Sequence, residues 1–443
     1  MIQLLLQWFR RKRNPNEPRR YPFSSHKIPA SAFSPAAREV IKVLCGEGYE
    51  AYIVGGAVRD LLLGITPKDF DIATNATPEQ IKRCFRRAFI IGRRFRLVHV
   101  SLYHETIEVS TFRSAADTAD AEGRLLSDNV YGRQADDAAR RDFSANALYY
   151  DLNKQIILDY HNGVHDIQSG MLRLIGNPEV RYREDPVRML RGIRLAQKLK
   201  IELEPSTAIP LTKLSNLLIS IPKARLLDEL EKVFNTGHAA NILNAFHHHG
   251  ILKYLWPSLD EVLSNKHDNQ LIQVTLNETD LRLRQEKSIS TAFILGALLW
   301  PLLIKRLNGQ SPENMRIDTF YDAIEEALEH EWSDSLALPR RYTTVIKEIW
   351  QLQIRFTQRT GQRPQRLLTH PRFRAAFDFL SLRARSSDTT PELFEWWEAF
   401  MAGNDEERER LQKALIEEPG KTNKKRVRRR KKSPNAKPVT TDE

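Results

Sequence analysis

The stretch VGGAVRDLLLGITPKDFDIAT, residues 54–74, decides how the first third of the chain is read. It continues the apolar run AYIV (51–54), a strand pattern that closes on Gly55 and Gly56. Adjacent glycines free the backbone from side-chain sterics, so N–H groups at a strand-to-helix turn can approach a phosphate closely. The spacing then predicts a short helix to Leu63, stopped at Gly64. Arg59 sits about one turn into that helix, where it could add a charge-assisted contact. Taken alone, a plain turn explains the two glycines better than a phosphate site does.

The same stretch ends in Lys68-Asp69-Phe70-Asp71. Read as a strand, DFDIA sets Asp69 and Asp71 on one face and Phe70 on the other, toward the core. Two carboxylates on one face suit Mg²⁺, and two ions about 3.5–4 Å apart are the usual device for in-line phosphoryl displacement. An isolated D-x-D is more simply a solvated pair in a loop. Here the pair follows Gly56 by thirteen residues, across one short helix. A glycine turn beside a carboxylate strand is what nucleotidyl transfer needs.

Two further constellations lie downstream. AARRDFSANAL (138–148) places Arg140, Arg141 and Asp142 beside an apolar helical pattern. The planar fork of arginine suits triphosphate or ribose oxygens. A helix N-terminus capped by Asp142 with surface arginines fits equally well. YREDPVRMLRGIRLA (182–196) opens a helix, with Asp185 as cap and Pro186 at the first position. Arg188 and Arg191 share a face of it. Asp185 and Arg188 together offer an acceptor and donors for the edge of a base; a structural cap with a surface arginine stripe is the bland alternative.

Working outward, residues 36–165 read as mixed α/β, with strands at DFDIA, LVHVSLY, TIEVSTF and IILDY and a helix at AAREVIKVLCGEG. Residues 14–35 carry five prolines and read as a linker, and residues 114–139 read as a mobile loop. From about 184 to 415 helical spacing dominates. Its tryptophans and phenylalanines read as core. The fold class is therefore α+β, with five segments: a basic N-terminal segment and linker (1–35), a head (36–165), a helical neck (166–230), a helical body (231–416) and a basic disordered tail (417–443).

The chain has 443 residues, 41% hydrophobic and 28% charged, which marks a globular protein of about three domains. Only Cys45 and Cys84 are present, which excludes a disulfide scaffold and a clustered cysteine zinc site and suits a reducing, cytoplasmic setting. The net charge of +12 is concentrated at the ends: +5 in residues 1–20 and +8 in residues 421–443, against −1 between them. Such tails bind polyanions, nucleic acid most commonly. The start, MIQLLLQWF, precedes its charges, the reverse of a secretory signal. A frayed terminus is preferred there over a short peripheral membrane anchor. The apolar run Ala292 to Ile304 is too short to span a bilayer. His247-His248-His249 points in different directions on a helix, and His267-Asp268 lacks companion histidines, so neither reads as a metal site.

In order and spacing, GGAVRDLLLG, KDFD, RRDFSANAL and REDPVRMLR resemble the class II nucleotidyltransferase family, which contains bacterial poly(A) polymerases and tRNA CCA-adding enzymes. IIGRRFRLVHV (90–100) and the arginine-rich C-terminus look like the poly(A) polymerase branch. The resemblance implies a polymerase beta-like head and AMP transfer from ATP to RNA 3′ ends with release of pyrophosphate. It implies that Asp69 and Asp71 bind two Mg²⁺ ions, for which Mn²⁺ can substitute, and that Asp142 completes the active site. Glu108, on TIEVSTF, is a rival third carboxylate, with a surface role preferred. Gly55, Gly56 and Arg59 would hold the triphosphate, and Arg141, Asp185, Arg188 and Arg191 the incoming nucleotide. Implied partners are mRNA, regulatory and structured RNAs and the RNA-decay machinery. A CCA-adding enzyme and a non-catalytic RNA-binding protein are the alternatives.

Overall fold

The computed structural model describes residues 17–92, 96–114, 131–265, 269–331 and 337–417. The RRF of the branch signature, His267-Asp268, the N-terminal MIQLLLQWF and the basic tail lie outside them.

The head is built on one eight-stranded sheet. Its strands are β1 (Arg19–Pro22), β2 (Ala51–Val54), β3 (Asp71–Thr74), β4 (Ala88–Ile91), β5 (Leu97–Leu102), β6 (Glu105–Thr111), β7 (Leu148–Asp151) and β8 (Ile156–Asp159). They lie in the order β1-β8-β7-β2-β3-β6-β5-β4, with β3 and β6 parallel and the other neighbours antiparallel. Because side chains alternate across a strand, Ile53, Ile72, Val98 and Val109 share one face and are fully buried. Helix α1 (Pro35–Gly46) contributes Val40, Ile41 and Leu44 to that same core. Pro35 presets its first turn, and the Ser34 hydroxyl accepts from the Ala37 N–H at 3.1 Å. The opposite face carries a smaller cluster of Val54, Ala73, Phe112 and Tyr149. Asp71 and Glu108 belong to this second face by alternation.

Several local expectations are corrected. Residues 14–35 are not all linker: β1 pairs antiparallel with β8, Arg19 opposite Asp159. A four-residue edge strand ending in proline leaves almost no alternation to read, and an edge tolerates the missing N–H. Within 114–139, residues 115–130 lie outside the described residues, but Gln134–Arg140 is a helix. RRDFSANAL does not open a helix. It runs through a 3₁₀ turn at Ser144–Asn146 into β7. Asp69 precedes β3 rather than lying in it. Phe70 does turn inward, edge-on to the buried Phe33.

Beyond the head, α-helices predominate. We label α2 (Gly56–Leu62), α3 (Gln134–Arg140), α4 (Pro178–Glu184), α5 (Val187–Leu199) and α6 (Lys223–Phe234). The Asn177 side chain caps α4. Helix α5 buries Val187, Met189, Leu190 and Ile193. Gly192 is where it meets the head: a Cβ there would stand 3.1 Å from the Phe143 ring. In the body Trp256, Trp300, Trp350 and Trp397 are fully buried. Arg383 is buried with them, stacked 4.5 Å over Trp300 and donating to Glu313, Asp388 and Gln353.

Candidate active site

The glycine turn is real and strained in the way only glycine permits. Gly55 has φ +68° and ψ −125°, and its N–H donates to the Leu148 carbonyl at 3.3 Å. A Cβ at Gly55 would come to 3.4 Å from Arg141 Nη1, and one at Gly56 to 3.4 Å from Arg59 Nη2. The two guanidiniums are thus packed directly against the turn.

They differ in what they can do. Arg59 is only 6% exposed. Its Nε and Nη2 donate to Asp60 at 2.8 and 2.6 Å, and its Nη1 donates to Asn146 Oδ1. Asp60 and Asn146 thus hold the Arg59 guanidinium, which was expected to meet the triphosphate, against the turn. Arg141 stays partly open. Asp137 accepts from its Nε and Nη2, and the Asn146 carbonyl accepts from its Nη1. The ring of Tyr149 lies 5.3 Å beneath it. Burial would weaken its charge, but Tyr149 and Asp137 hold it firmly protonated.

The carboxylates converge from two strands. Asp71, the first residue of β3, stands opposite Glu108 across the parallel pair. Asp69, Asp71 and Glu108 are all exposed. Partial desolvation where the strands meet, together with the like charges of Glu108 and Asp69, pushes the Asp71 carboxyl up to about 6 against the opposing pull of Arg141. On β5, His99 pairs with Glu108, its Nε2 hydrogen-bonded to Oε1 at 3.2 Å. Glu108, the rival third carboxylate of the sequence reading, thus stands beside Asp71.

Asp142 is engaged elsewhere. Arg188 Nε donates to Oδ1 at 2.8 Å and Arg191 Nη1 to Oδ2 at 2.9 Å. Burial alone would raise its carboxyl, but these two arginines outweigh that and hold it below the ordinary range. Pairing with Asp142 brings Arg188 and Arg191 to the head. Asp185 Oδ1 accepts from the Val187 N–H at 3.2 Å and Oδ2 from Arg225 at 2.8 Å. Arg191 also reaches the buried Glu229, which Arg194 and Lys232 share. Arg181 donates to the carbonyls of Arg140 and Arg141, both at 2.9 Å, tying α4 to the end of α3.

Sequence reasoning missed Asp137, Asn146, Arg181, Glu229 and His99. Asp137 had a signal, since Arg140 and Arg141 follow at helical spacing. Glu108 was legible only as a rival third carboxylate, because the register of a parallel pair between distant strands is not written locally.

Three family profiles match the chain: "Poly A polymerase head domain" over residues 51–173, "Probable RNA and SrmB- binding site of polymerase A" over 200–263, and "Polymerase A arginine-rich C-terminus" over 313–433. Poly(A) polymerase I of Salmonella typhi is 40% identical over 429 residues, covering 93% of this chain and 92% of that protein. The chain belongs to the poly(A) polymerase family. A CCA-adding enzyme of Lactobacillus helveticus is 37% identical, but over only 47% of this chain and 52% of its own length. A solved tRNA-processing enzyme with CTP shares the fold, at TM-score 0.57 and 22% identity over 85% of this chain and 97% of that one. As a poly(A) polymerase family member the chain is a polynucleotide adenylyltransferase. Among the described residues no helix is long and apolar enough to cross a membrane.

Proposed function

We propose that this chain extends RNA 3′ ends with AMP from ATP, without a template, at the cleft between Gly55, Arg141 and the Asp69–Asp71–Glu108 edge. The observation that carries the reading is the Asp71–Glu108 pair: two carboxylates in register, with the buttressed Arg141 as a counter-charge to Asp71. The donor set fits a hard divalent cation, which takes oxygen ligands. Among the described residues no three or more such side chains gather closely enough to cage an ion unaided. That suits Mg²⁺, which is commonly held by one or two carboxylates together with substrate phosphates. Asp69 and Asp71 would hold the ions, with Glu108 as third carboxylate and Mn²⁺ as a substitute. When bound, the ions supply activation of the 3′-hydroxyl and neutralise the departing pyrophosphate.

The chain's own residues do the rest by positioning. The 3′-oxygen of RNA forms a bond to the α-phosphorus as the bond from that phosphorus to the bridging oxygen breaks, and pyrophosphate leaves. The Gly55-Gly56 turn admits the triphosphate to the backbone. Arg141, fixed by Asp137, supplies a permanent positive charge beside it. Asp185 and Arg188 are assigned to the adenine edge, with Arg225 and Asp142 setting their orientation. Asp142 acts as a positioning residue for Arg188 and Arg191. We read the five segments as one working unit in the cytoplasm, its products passing to RNA decay and its machinery.

Primer extension tests this. Purified chain and Mg²⁺ are given an oligo(A) and a tRNA lacking CCA, with each nucleotide offered separately and Asp69→Ala as control. Long ATP-dependent tails on oligo(A), lost in the variant, are expected. Addition that stops at CCA on tRNA would move the chain to the other branch. No incorporation on either RNA would leave an RNA-binding protein.

A further inference from the structure

The helical body holds a half-open cavity of about 490 Å³, lined by none of the residues assigned to catalysis. It lies between α7 (Asn269–Arg284), α8 (Thr291–Arg306), α9 (Arg340–Gln353) and α10 (Phe373–Arg385). Its volume falls within the range of small-ligand sites, and its lining has their character: an apolar floor with a few polar groups. Ile289, Phe293, Ile294, Val345 and Ile349 supply the apolar surface. Thr275 also lines it, is 1% exposed, and carries a hydroxyl that no described residue hydrogen-bonds. A shielded polar group is normally satisfied, so one without a partner in a cavity wall calls for a ligand or a water.

Charge decides which ligand. Arg282, Arg372, Arg374 and Arg385 line the cavity against two carboxylates, Glu278 and Asp378. Each guanidinium is anchored: Arg282 donates to the Ser288 carbonyl at 3.0 Å, Arg372 to Glu348 at 2.7 Å, and Arg385 to Glu278 at 3.0 Å, while Arg374 is paired with Asp378 at 3.1 Å. Anchoring uses a minority of the five N–H donors that each arginine carries. The excess of donors and of positive charge suits a phosphate. An aromatic ring and branched aliphatics beside it suit a base.

We propose that this cavity is a subsite for a single unstacked nucleotide of the RNA strand, its base against Phe293 and the apolar wall and its phosphate at the arginines. The proposal rests on the reading that RNA is the substrate, and it adds a fixed point on the strand upstream of the reacting end. A free mononucleotide has the same chemistry, so the test separates the two. In the full-length chain, Ser381→Phe fills the cavity from α10, and Thr275→Val removes the unpartnered hydroxyl while keeping its shape. Binding of a labelled oligo(A) and of a fluorescent AMP analogue is measured for each, alongside thermal melting and the KM for ATP.

Ser381→Phe is expected to weaken oligo(A) binding about ten-fold, within the range a stacked base contributes, and Thr275→Val about three-fold. The KM for ATP and the melting temperature should stay unchanged. Unaltered oligo(A) affinity in both variants would overturn the subsite. Loss of AMP-analogue binding with oligo(A) unaffected would overturn it in favour of a mononucleotide site. If wild-type chain fails to polyadenylate but the variants still lose oligo(A) affinity, the subsite stands and the catalytic reading falls.

Discussion

Two groups of carboxylates face the head in opposite electrostatic states. At the seam between head and neck, Asp137, Asp142, Asp185 and Glu229 are each hydrogen-bonded to at least one arginine or lysine. Opposing charge holds Asp137, Asp142 and Glu229 below the ordinary carboxylate range despite burial that would raise them. At the sheet edge the balance is reversed: desolvation first, and then the like charges of Glu108 and Asp69, raise Asp71 to about 6, with Arg141 opposing them. The seam has its counter-ions built in. Among the described residues the edge has fewer counter-ions than the seam: Arg141 acts on Asp71 and His99 on Glu108. The difference separates residues that hold the site together from residues that await a ligand.

Substitution breaks the comparison most sharply at the edge. Asp71→Asn removes a repelling charge and a proposed metal ligand together. AMP incorporation should fall by about 10²–10³-fold or more, while the thermal midpoint holds or rises. Near-normal turnover, or a clear loss of stability, would mean that the edge is structural after all. The seam should give the opposite pattern. Asp137→Asn leaves Arg140 and Arg141 facing a buried amide, and breaking a buried pair costs about 3–5 kcal/mol. Melting should show that loss at neutral pH. Because the folded carboxyl is depressed, its contribution is complete above the unfolded value of about 3.9 and disappears as pH falls through the folded one. The gap between wild type and Asp137→Asn should therefore close toward acid. A gap that widens would refute the assignment.

This contrast also explains what could be read from sequence. Local patterns carried the Gly55-Gly56 turn, the short helix after it, strands β2, β5, β6 and β8, and the helical body, because each depends on neighbours within a few residues. The order of motifs was enough to place Asp69 and Asp71 near the turn. What was not legible depended on long-range pairing. Glu108 becomes important only when β6 lies parallel to β3 with Asp71 opposite. The motif marks Asp142 but not its partners: Arg188 and Arg191, 46 and 49 residues away, hydrogen-bond both of its oxygens. Nor does the helix that carries Arg59 announce Asn146, 87 residues on, as a partner of its guanidinium. A charged residue shows its type in sequence, but its partner decides whether it acts on substrate or on the fold.

His99 sharpens the comparison at smaller amplitude, since it is the one described side chain hydrogen-bonded to the edge carboxylate Glu108. His99→Ala should lower kcat about ten-fold, as loss of an outer-shell partner does, with His99→Gln recovering part of it through its amide N–H. Equal losses in the two variants would point to packing rather than to positioning of Glu108.

The smallest effect is expected from the C-terminal tail, where the same logic runs with the sign reversed. Nine lysines and arginines occur between Lys421 and Lys432 with no acidic residue among them. Positive charge at that density in the sequence suits an external polyanion, and RNA is the substrate at hand. Each phosphate neutralised on a single strand contributes about −0.7 to the slope of log affinity against log salt, so losing about six contacts should flatten that slope by about 4. A chain ending at Gly420 should show this flattening in RNA binding while retaining its turnover at saturating RNA. An unchanged slope would mean that the tail carries charge without binding strand.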